Sequence, residues 1–133
     1  MPHPNEGLIR ELFSLFSRGD REGAVTLFAE DAVFRYVGPG PLHGEHRGRG
    51  GILDFWAQQD RLSGGVRPEL LDLVASDRCA FLLVRMGHEG KGPSWLRLVV
   101  YEIADGQIAE ARVFEEDLFV TQAFFWQGAE ASE

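Results

Sequence analysis

Two histidines and a glutamate stand close together in one segment of this chain. His43 and His46 are three residues apart in a glycine-rich stretch, with Glu45 between them. Imidazole and carboxylate are ordinary ligands of zinc and iron, and a histidine at the mouth of a pocket suits proton transfer near neutral pH. A metal site needs a third ligand on rigid structure, and no other His or Cys is placed nearby, so we predict no metal site. His43 remains a catalytic candidate, with a solvated loop as the alternative.

A second group of acids lies near the end of the chain, where Glu115, Glu116 and Asp117 follow the last predicted strand. A carboxylate buried at the rim of a pocket can act as a general base, and Glu115 is the candidate. The alternative is a solvated acidic turn whose last residue caps the C-terminal segment. Cys79 has no His or Asp in a nucleophile-like motif, so we interpret it as structural.

Composition and charge exclude several classes of protein. The 133 residues are 44% hydrophobic, which suffices for one domain over residues 1–133, and the single Cys excludes an intrachain disulfide. No apolar run approaches the roughly 20 residues of a transmembrane helix, and the N-terminal MPHPNEG lacks the pattern of an export signal, so we expect a cytoplasmic protein. The net charge is −8, and residues 102–133 carry eight acids against one base. We therefore expect neither nucleic acid nor a membrane as a partner.

The hydrophobic periodicity changes along the chain from helical to strand-like. Three segments with apolar residues at helical spacing are predicted helices: residues 8–16, 24–28 and 52–62. Five segments bounded by turn signals are predicted strands: residues 32–37, 67–76, 79–88, 94–104 and 107–116. Helices followed by strands predict an α+β fold, in which a cone-shaped, curved antiparallel β-sheet wraps around the three N-terminal helices and encloses a cavity.

Three stretches carry a resemblance to a known family: DREGAVTLFAEDAVFRY at 20–36, GPLHGEHRGRGGILDFW at 40–56 and YEIADGQIAEARVFEEDLFVTQAFFW at 101–126. In their order and spacing they resemble the SnoaL-like branch of the nuclear transport factor two-like (ketosteroid isomerase-like) superfamily. The resemblance implies the cone fold, which is also called cystatin-like, a cavity that holds the functional groups, and a homodimer. We expect no cofactor.

The resemblance does not carry the catalytic groups of the characterised members onto this sequence. The position of the isomerase's general base corresponds to Tyr36, and that of its oxyanion-hole tyrosine lies near Leu12. The position of its protonated aspartate lies near Leu98 or Val99, and the acid of the cyclases corresponds to Val113. A steroid isomerase mechanism needs a carboxylate base facing an oxyanion hole, so the sequence does not support one.

Tyr36 is the polar residue that we predict to reach the pocket, because it shares a strand face with Phe34. Its hydroxyl could donate a hydrogen bond to a ligand oxygen; alternatively, it is a core aromatic whose hydroxyl bonds the backbone. The catalytic candidates are therefore Tyr36, His43 and Glu115. Aromatic residues at helical spacing are often plain core, but in a cone they also line the cavity. The predicted pocket residues are Phe13, Phe16, Phe34, Tyr36, Phe55, Trp56, Leu98 and Val113.

The register of the last hairpin decides which side chains face the cavity. A two-residue turn at Asp105-Gly106 pairs Arg97 with Phe114. One face, assigned to the cavity, then carries Leu96, Leu98, Val100, Ala109, Ala111 and Val113. The other face is predicted to form a dimer interface through Trp95, Arg97, Tyr101 and Arg112. A β-bulge in the hairpin would exchange the two faces and turn Arg97 into the pocket.

These expectations combine into two hypotheses for the function. The first is a homodimer whose cone binds a small, mainly apolar molecule carrying a carbonyl or hydroxyl, with acid–base chemistry of the isomerase, cyclase or dehydratase type left open. The second is a non-catalytic ligand-binding or protein-interaction dimer. Two ionisable groups converging on one open site would favour an enzyme, whereas an apolar lining with at most Tyr36 would favour a binding protein.

Overall fold

The computed structural model describes residues 3–64, 67–88, 91–121 and 123. Within these ranges the helices are α1 (Pro4–Ser17), α2 (Arg21–Val25) and α3 (Gly48–Ser63). The strands are β1 (Phe28–Tyr36), β2 (Gly44–Arg47), β3 (Glu69–Ala75), β4 (Cys79–His88), β5 (Lys91–Ala104) and β6 (Gln107–Glu115). None of the described helices is long and apolar enough to cross a membrane.

Local capping explains where the helices begin and end. The Asp20 side chain accepts a hydrogen bond of 2.8 Å from the Gly23 N–H, so it caps α2. At the C-terminal end of α3, Gly64 adopts the left-handed conformation with φ of 69°, which is typical of a residue that ends a helix. The second helix ends earlier than predicted, because the Leu27 carbonyl accepts from the Ile108 N–H and begins the pairing of β1 with β6.

The six strands form one curved, unclosed sheet in the order β2-β1-β6-β5-β4-β3. The pair β1–β6 is parallel and the other neighbours are antiparallel. The α+β architecture is confirmed. The glycine-rich segment before α3, predicted to be an irregular loop, contains strand β2, which pairs with β1 over Val33–Tyr36. The core lies between the helices and the concave face of the sheet.

The predicted register of the β5–β6 hairpin is wrong, because β6 contains a bulge. Ile103 pairs with Ile108, but Glu102 pairs with Glu110, which leaves Ala109 as an extra residue. Arg97 therefore lies opposite Glu115 rather than opposite Phe114. Because side chains alternate between the two faces of a strand, one extra residue in β6 exchanges the two faces of β5, while Ala111 and Val113 of β6 stay inside as predicted.

The exchange of faces corrects two sets of predicted residues. Trp95, Arg97 and Tyr101 are only 1%, 5% and 5% exposed and lie inside the cone, so they cannot form an outer dimer interface. Arg112 does lie on the outer face and is exposed. Leu98 was predicted to line the pocket, but it faces outward beside Phe114. The alternative in which a bulge turns Arg97 inward is confirmed.

Alanine substitutions at two glycines in different backbone environments should change the free energy of unfolding in opposite directions. Gly87 has φ of +147°, and an added Cβ would lie 3.1 Å from the Pro93 carbonyl oxygen. Gly87→Ala should therefore destabilise the fold by at least about 1 kcal/mol. The matched control is Gly7 in α1, where an added Cβ meets nothing within 4 Å. Gly7→Ala should stabilise the protein by about 0.5–1 kcal/mol, because alanine favours the helix. Denaturant unfolding measures both changes, and equal signs would contradict this description of the backbone.

Candidate functional site

A cavity of ≈ 70 Å³ lies between the helices and the concave face of the sheet. Its lining is apolar except at one side, where Gln59, Arg97 and Tyr101 lie. The apolar lining residues come from α1, α3 and five strands or their flanks: Leu12, Phe13, Phe16, Phe34, Phe55, Trp56, Pro68, Leu82, Val84, Met86, Val99 and Val113.

Six of the eight predicted pocket residues line this cavity. They are Phe13, Phe16, Phe34, Phe55, Trp56 and Val113. Aromatic contacts hold several of them in place: the rings of Phe34 and Phe55 lie 4.6 Å apart, and Phe16 meets Trp56 edge-on at 5.4 Å. Tyr36 is buried behind Phe55 and is not part of the lining, at a ring separation of 5.9 Å.

A buried ion pair forms the polar side of the cavity. Arg97 binds Glu115 through two hydrogen bonds, of 2.7 Å from Nε to Oε1 and 2.8 Å from Nη2 to Oε2. Arg97 Nη1 donates to Gln59 Oε1 at 2.7 Å, and the Tyr36 hydroxyl donates to Glu115 Oε2 at 2.9 Å. The side chains of Arg97 and Glu115 are only 6% and 0% exposed. Strands β1, β5 and β6 and helix α3 thus meet in one hydrogen-bonded network.

The network keeps its proton donors protonated. Burial acts to lower the pKa of Arg97, but the charge and the hydrogen bonds of Glu115 outweigh it, so the pKa of Arg97 is raised. Burial and the neighbouring Glu115 charge raise the pKa of Tyr36 well above its ordinary value. Two charges removed from water need such paired hydrogen bonds to offset their lost hydration. Tyr36 therefore acts as a hydrogen-bond donor to Glu115 and not as a base.

Tyr101 offers a polar group that the network does not use. It lines the cavity beside Arg97, and its hydroxyl forms no hydrogen bond with any residue in the described part of the chain. Burial raises the pKa of Tyr101, and the nearby Arg97 charge opposes that rise. Arg97 itself has five N–H groups, of which three are engaged by Glu115 and Gln59. Tyr101 and Arg97 were assigned to the outer face from sequence, and the bulge in β6 is what turns them inward.

The histidines predicted as site candidates lie elsewhere. His43 is exposed, and its Nδ1 lies 2.6 Å from the Gly38 carbonyl oxygen. His46 Nε2 lies 3.1 Å from the Leu42 carbonyl oxygen, and its ring packs at 4.7 Å on Phe55. Glu45 binds Arg35 and Arg47 on the surface. Neither histidine lines the cavity, and no group of three His, Cys, Asp or Glu residues within the described ranges could hold a metal ion.

The three acids at the end of β6 separate into different roles. Glu115 points into the cone, Glu116 accepts a hydrogen bond of 3.0 Å from the Leu96 N–H, and Asp117 caps the following turn. Cys79 is half-buried, with its Sγ 3.4 Å from the Ser76 hydroxyl. Glu115, Tyr36 and His43, the three catalytic candidates, therefore do not converge on one open site.

An outer groove adjoins the cavity at the C-terminal end of α1. Phe16 and Pro68 line the cavity and also border an outer groove with Arg21, Asp60 and Arg67. The Arg21 guanidinium lies 3.5 Å from the centre of the Phe16 ring and pairs with Asp60 at 3.1 Å. Phe16 therefore borders both the cavity and the groove.

The fold is a cone-shaped α+β scaffold with an internal cavity, and comparison with known proteins gives its family. The model of the SnoaL-like domain matches residues 9–111, and the chain belongs to this family. No curated protein is significantly similar to it.

Several solved structures share the fold. Bal32a, from a soil-derived mobile gene cassette, is 25% identical, with a TM-score of 0.83 over 92% of this chain and 96% of that one. TerC, crystallised with polyporic acid, is 17% identical, with a TM-score of 0.80 over 93% of this chain and 99% of its own. An NTF2-like protein of unknown function from Burkholderia pseudomallei is 16% identical, with a TM-score of 0.81 over 93% and 98% of the two chains.

The burial of both tyrosines can be tested by alkaline titration. Tyr36 and Tyr101 are the two tyrosines of the chain, and both pKa values are raised in the folded state. Because the folded state favours the neutral phenols, its stability should be full below about pH 10 and fall at higher pH. Phenolate absorbance in the native protein should appear only together with unfolding, as followed by circular dichroism. The denatured chain, as control, should titrate near pH 10. Phenolate at about pH 10 in protein with native circular dichroism would contradict the burial of these hydroxyls.

Proposed function

We propose that the cone binds one small, mainly apolar molecule whose oxygen lies against Arg97 and Tyr101. The observation that carries this proposal is the lining itself, in which apolar side chains surround one polar side with unused hydrogen-bond donors. Such a cavity, mostly apolar with a few convergent polar groups, is typical of a small-molecule site. The apolar part supplies affinity, and the Arg97 and Tyr101 donors orient the oxygen.

The geometry favours binding over acid–base catalysis. A general base must reach the proton that it removes, and the cavity lining in the described part of the chain contains no carboxylate and no imidazole. Glu115 lies behind Arg97, and both of its oxygens accept hydrogen bonds. Tyr36 donates its own proton to Glu115. These contacts support the non-catalytic hypothesis of a ligand-binding protein on this fold.

The small volume of the cavity limits the size of the ligand that can bind without side-chain movement. A benzene ring occupies an apolar cavity of about 150 Å³ in a well-studied case, and this cavity measures ≈ 70 Å³. A ring-sized ligand therefore requires side chains to move. Met86, which is unbranched and adaptable, and Phe16, which borders the outer groove, are the lining residues best placed to do so.

Removing the free hydroxyl of the cavity should weaken the binding of an oxygen-bearing probe. We expect Tyr101→Phe to lower the affinity for acetophenone about three- to tenfold, because one hydrogen bond contributes about 0.5–1.5 kcal/mol. Ethylbenzene, which has a similar shape but no oxygen, is the control probe, and its affinity should not fall. Titration followed by NMR chemical shifts measures both. An unchanged affinity for acetophenone would contradict the role of Tyr101, and no binding of either probe to the wild-type protein would contradict the proposed site.

We also propose that the outer face of the sheet binds a second copy of the chain. Phe81 and Phe114 are 42% and 39% exposed on this face, on either side of the half-buried Leu98 and Val100. Charges of both signs border the apolar area, since Arg112 pairs with Glu110 at 2.8 Å. An apolar centre with a mixed charged border is self-complementary across a two-fold axis, which supports a homodimer.

A single charge on the outer face should abolish the dimer. Phe114→Glu places a carboxylate in the proposed interface, so we expect this variant to sediment as a monomer at micromolar concentration while the wild-type protein sediments as a dimer. The matched control is Phe119→Glu, because Phe119 is 87% exposed and follows the sheet. A monomeric wild-type protein, or a dimeric Phe114→Glu variant, would contradict this interface.

A further inference from the structure

The charge inside the cone is already balanced before any ligand enters. Of the side chains that line the cavity in the described ranges, Arg97 is the charged one. Its guanidinium binds Glu115 through two hydrogen bonds, and both side chains are almost fully shielded from solvent. The other polar lining residues, Gln59 and Tyr101, have neutral side chains. The polar side of the cavity is therefore electrically neutral as a whole.

The unused polar groups at this side are mostly donors; the Tyr101 hydroxyl is the group that can also accept. Arg97 Nη1 and Nη2 each carry two N–H groups. One N–H of Nη1 donates to Gln59 and one N–H of Nη2 donates to Glu115, which leaves one unused N–H on each nitrogen. Gln59 must present Oε1 to Arg97, because a guanidinium offers no acceptor, and its amide N–H groups form no hydrogen bond with residues that the structure describes. The Tyr101 hydroxyl adds a further donor. An acceptor oxygen on the ligand satisfies these groups better than a donor does.

A carboxylate would meet a like charge at this position. The ligand carboxylate would be attracted by Arg97. However, Glu115 binds the same guanidinium in a poorly hydrated environment, where two carboxylates repel each other strongly. A carboxylate must also give up far more hydration than a ketone does on entering an apolar cavity. A neutral carbonyl oxygen accepts the same hydrogen bonds without either cost.

We propose that this site selects neutral carbonyl compounds, such as ketones, over carboxylates, and that Glu115 sets the selection by neutralising Arg97. The inference rests on the proposed function of the cone as a small-molecule site. It assigns Glu115 the role of a specificity-determining residue that acts through Arg97 and does not touch the ligand.

Two probes of similar size test the selection. Acetophenone carries a neutral carbonyl, and benzoate carries a carboxylate on the same ring. NMR titration of the wild-type protein at neutral pH should give at least about tenfold tighter binding of acetophenone, a difference of about 1.4 kcal/mol. In Glu115→Gln the amide oxygen can still accept from Arg97, but the charge of Arg97 is no longer balanced. This variant should reverse the order and bind benzoate more tightly than acetophenone, and benzoate should raise its melting temperature but not that of the wild-type protein.

The outcomes separate the two proposals. Failure of the wild-type protein to bind either probe would overturn the proposed function. Equal binding of the two probes, or tighter binding of benzoate, would leave a functional cavity and overturn the selection inferred here. A Glu115→Gln variant that folds and still prefers acetophenone would overturn the role of Glu115.

A second variant covers the case in which the unbalanced Arg97 prevents Glu115→Gln from folding. The double variant Arg97→Met with Glu115→Met removes both charges together, a replacement that buried ion pairs often tolerate. It should lose about tenfold in affinity for acetophenone and retain its affinity for ethylbenzene. An unchanged affinity for acetophenone would overturn the proposal that this pair recognises the carbonyl.

Discussion

Arg97 and Glu115 form a buried ion pair inside the cone, beside a cavity whose lining is mostly apolar. Removing either charge alone would leave the other unpaired in a medium that solvates it poorly. The pair therefore requires strands β5 and β6 to lie in the register that places the two residues opposite each other. It also requires α3 to bring Gln59, and β1 to bring Tyr36, within hydrogen-bond distance. The position of the helices on the sheet is thus coupled to the satisfaction of two buried charges.

The same network decides what chemistry the cavity can support. In a cone fold the inward-facing side chains define the site, and related folds hold unrelated activities because those side chains change. Here the carboxylate is committed to Arg97 and Tyr36, so the groups left for a ligand are hydrogen-bond donors beside an aromatic wall. Such a lining can hold and orient an oxygen-bearing apolar molecule. Among the described residues, the lining contains no carboxylate or imidazole.

The bulge at Ala109 accounts for both the buried ion pair and the polar groups of the cavity lining. With a regular hairpin, Arg97 and Tyr101 would point away from the helices, and the cavity would be lined by leucines and valines. One additional residue in β6 reverses the faces of β5 relative to β6, so Arg97 and Tyr101 enter the cone and Leu98 lies on the outer surface beside Phe114. A local irregularity of one residue thereby sets both the content of the pocket and the character of the outer sheet face.

Much of the architecture followed from local patterns in the sequence. Asp20 as the cap of α2, the apolar face of α3 and the turn at Asp105-Gly106 depend on neighbouring residues, and the structure has all three. Phe34, Phe55 and Val113 line the cavity. Their place in the interior was predictable, because helical or strand periodicity assigns such apolar residues to the buried face. The polar part of the site did not follow in this way. Both faces of β5 carry apolar residues, so the alternation along the strand does not distinguish inside from outside.

The sequence by itself therefore determined the fold class, the order of the elements other than β2, and the aromatic wall of the cone. Only the tertiary structure decided that Arg97, Glu115, Gln59 and Tyr101 meet at the cavity. The physical reason is that capping and periodicity act over a few residues, whereas the register of a hairpin and the pairing of buried charges are set by contacts between distant segments. Arg97 and Gln59 are separated by 38 positions along the chain, and Tyr36 and Glu115 by 79, so no local pattern encodes their meeting.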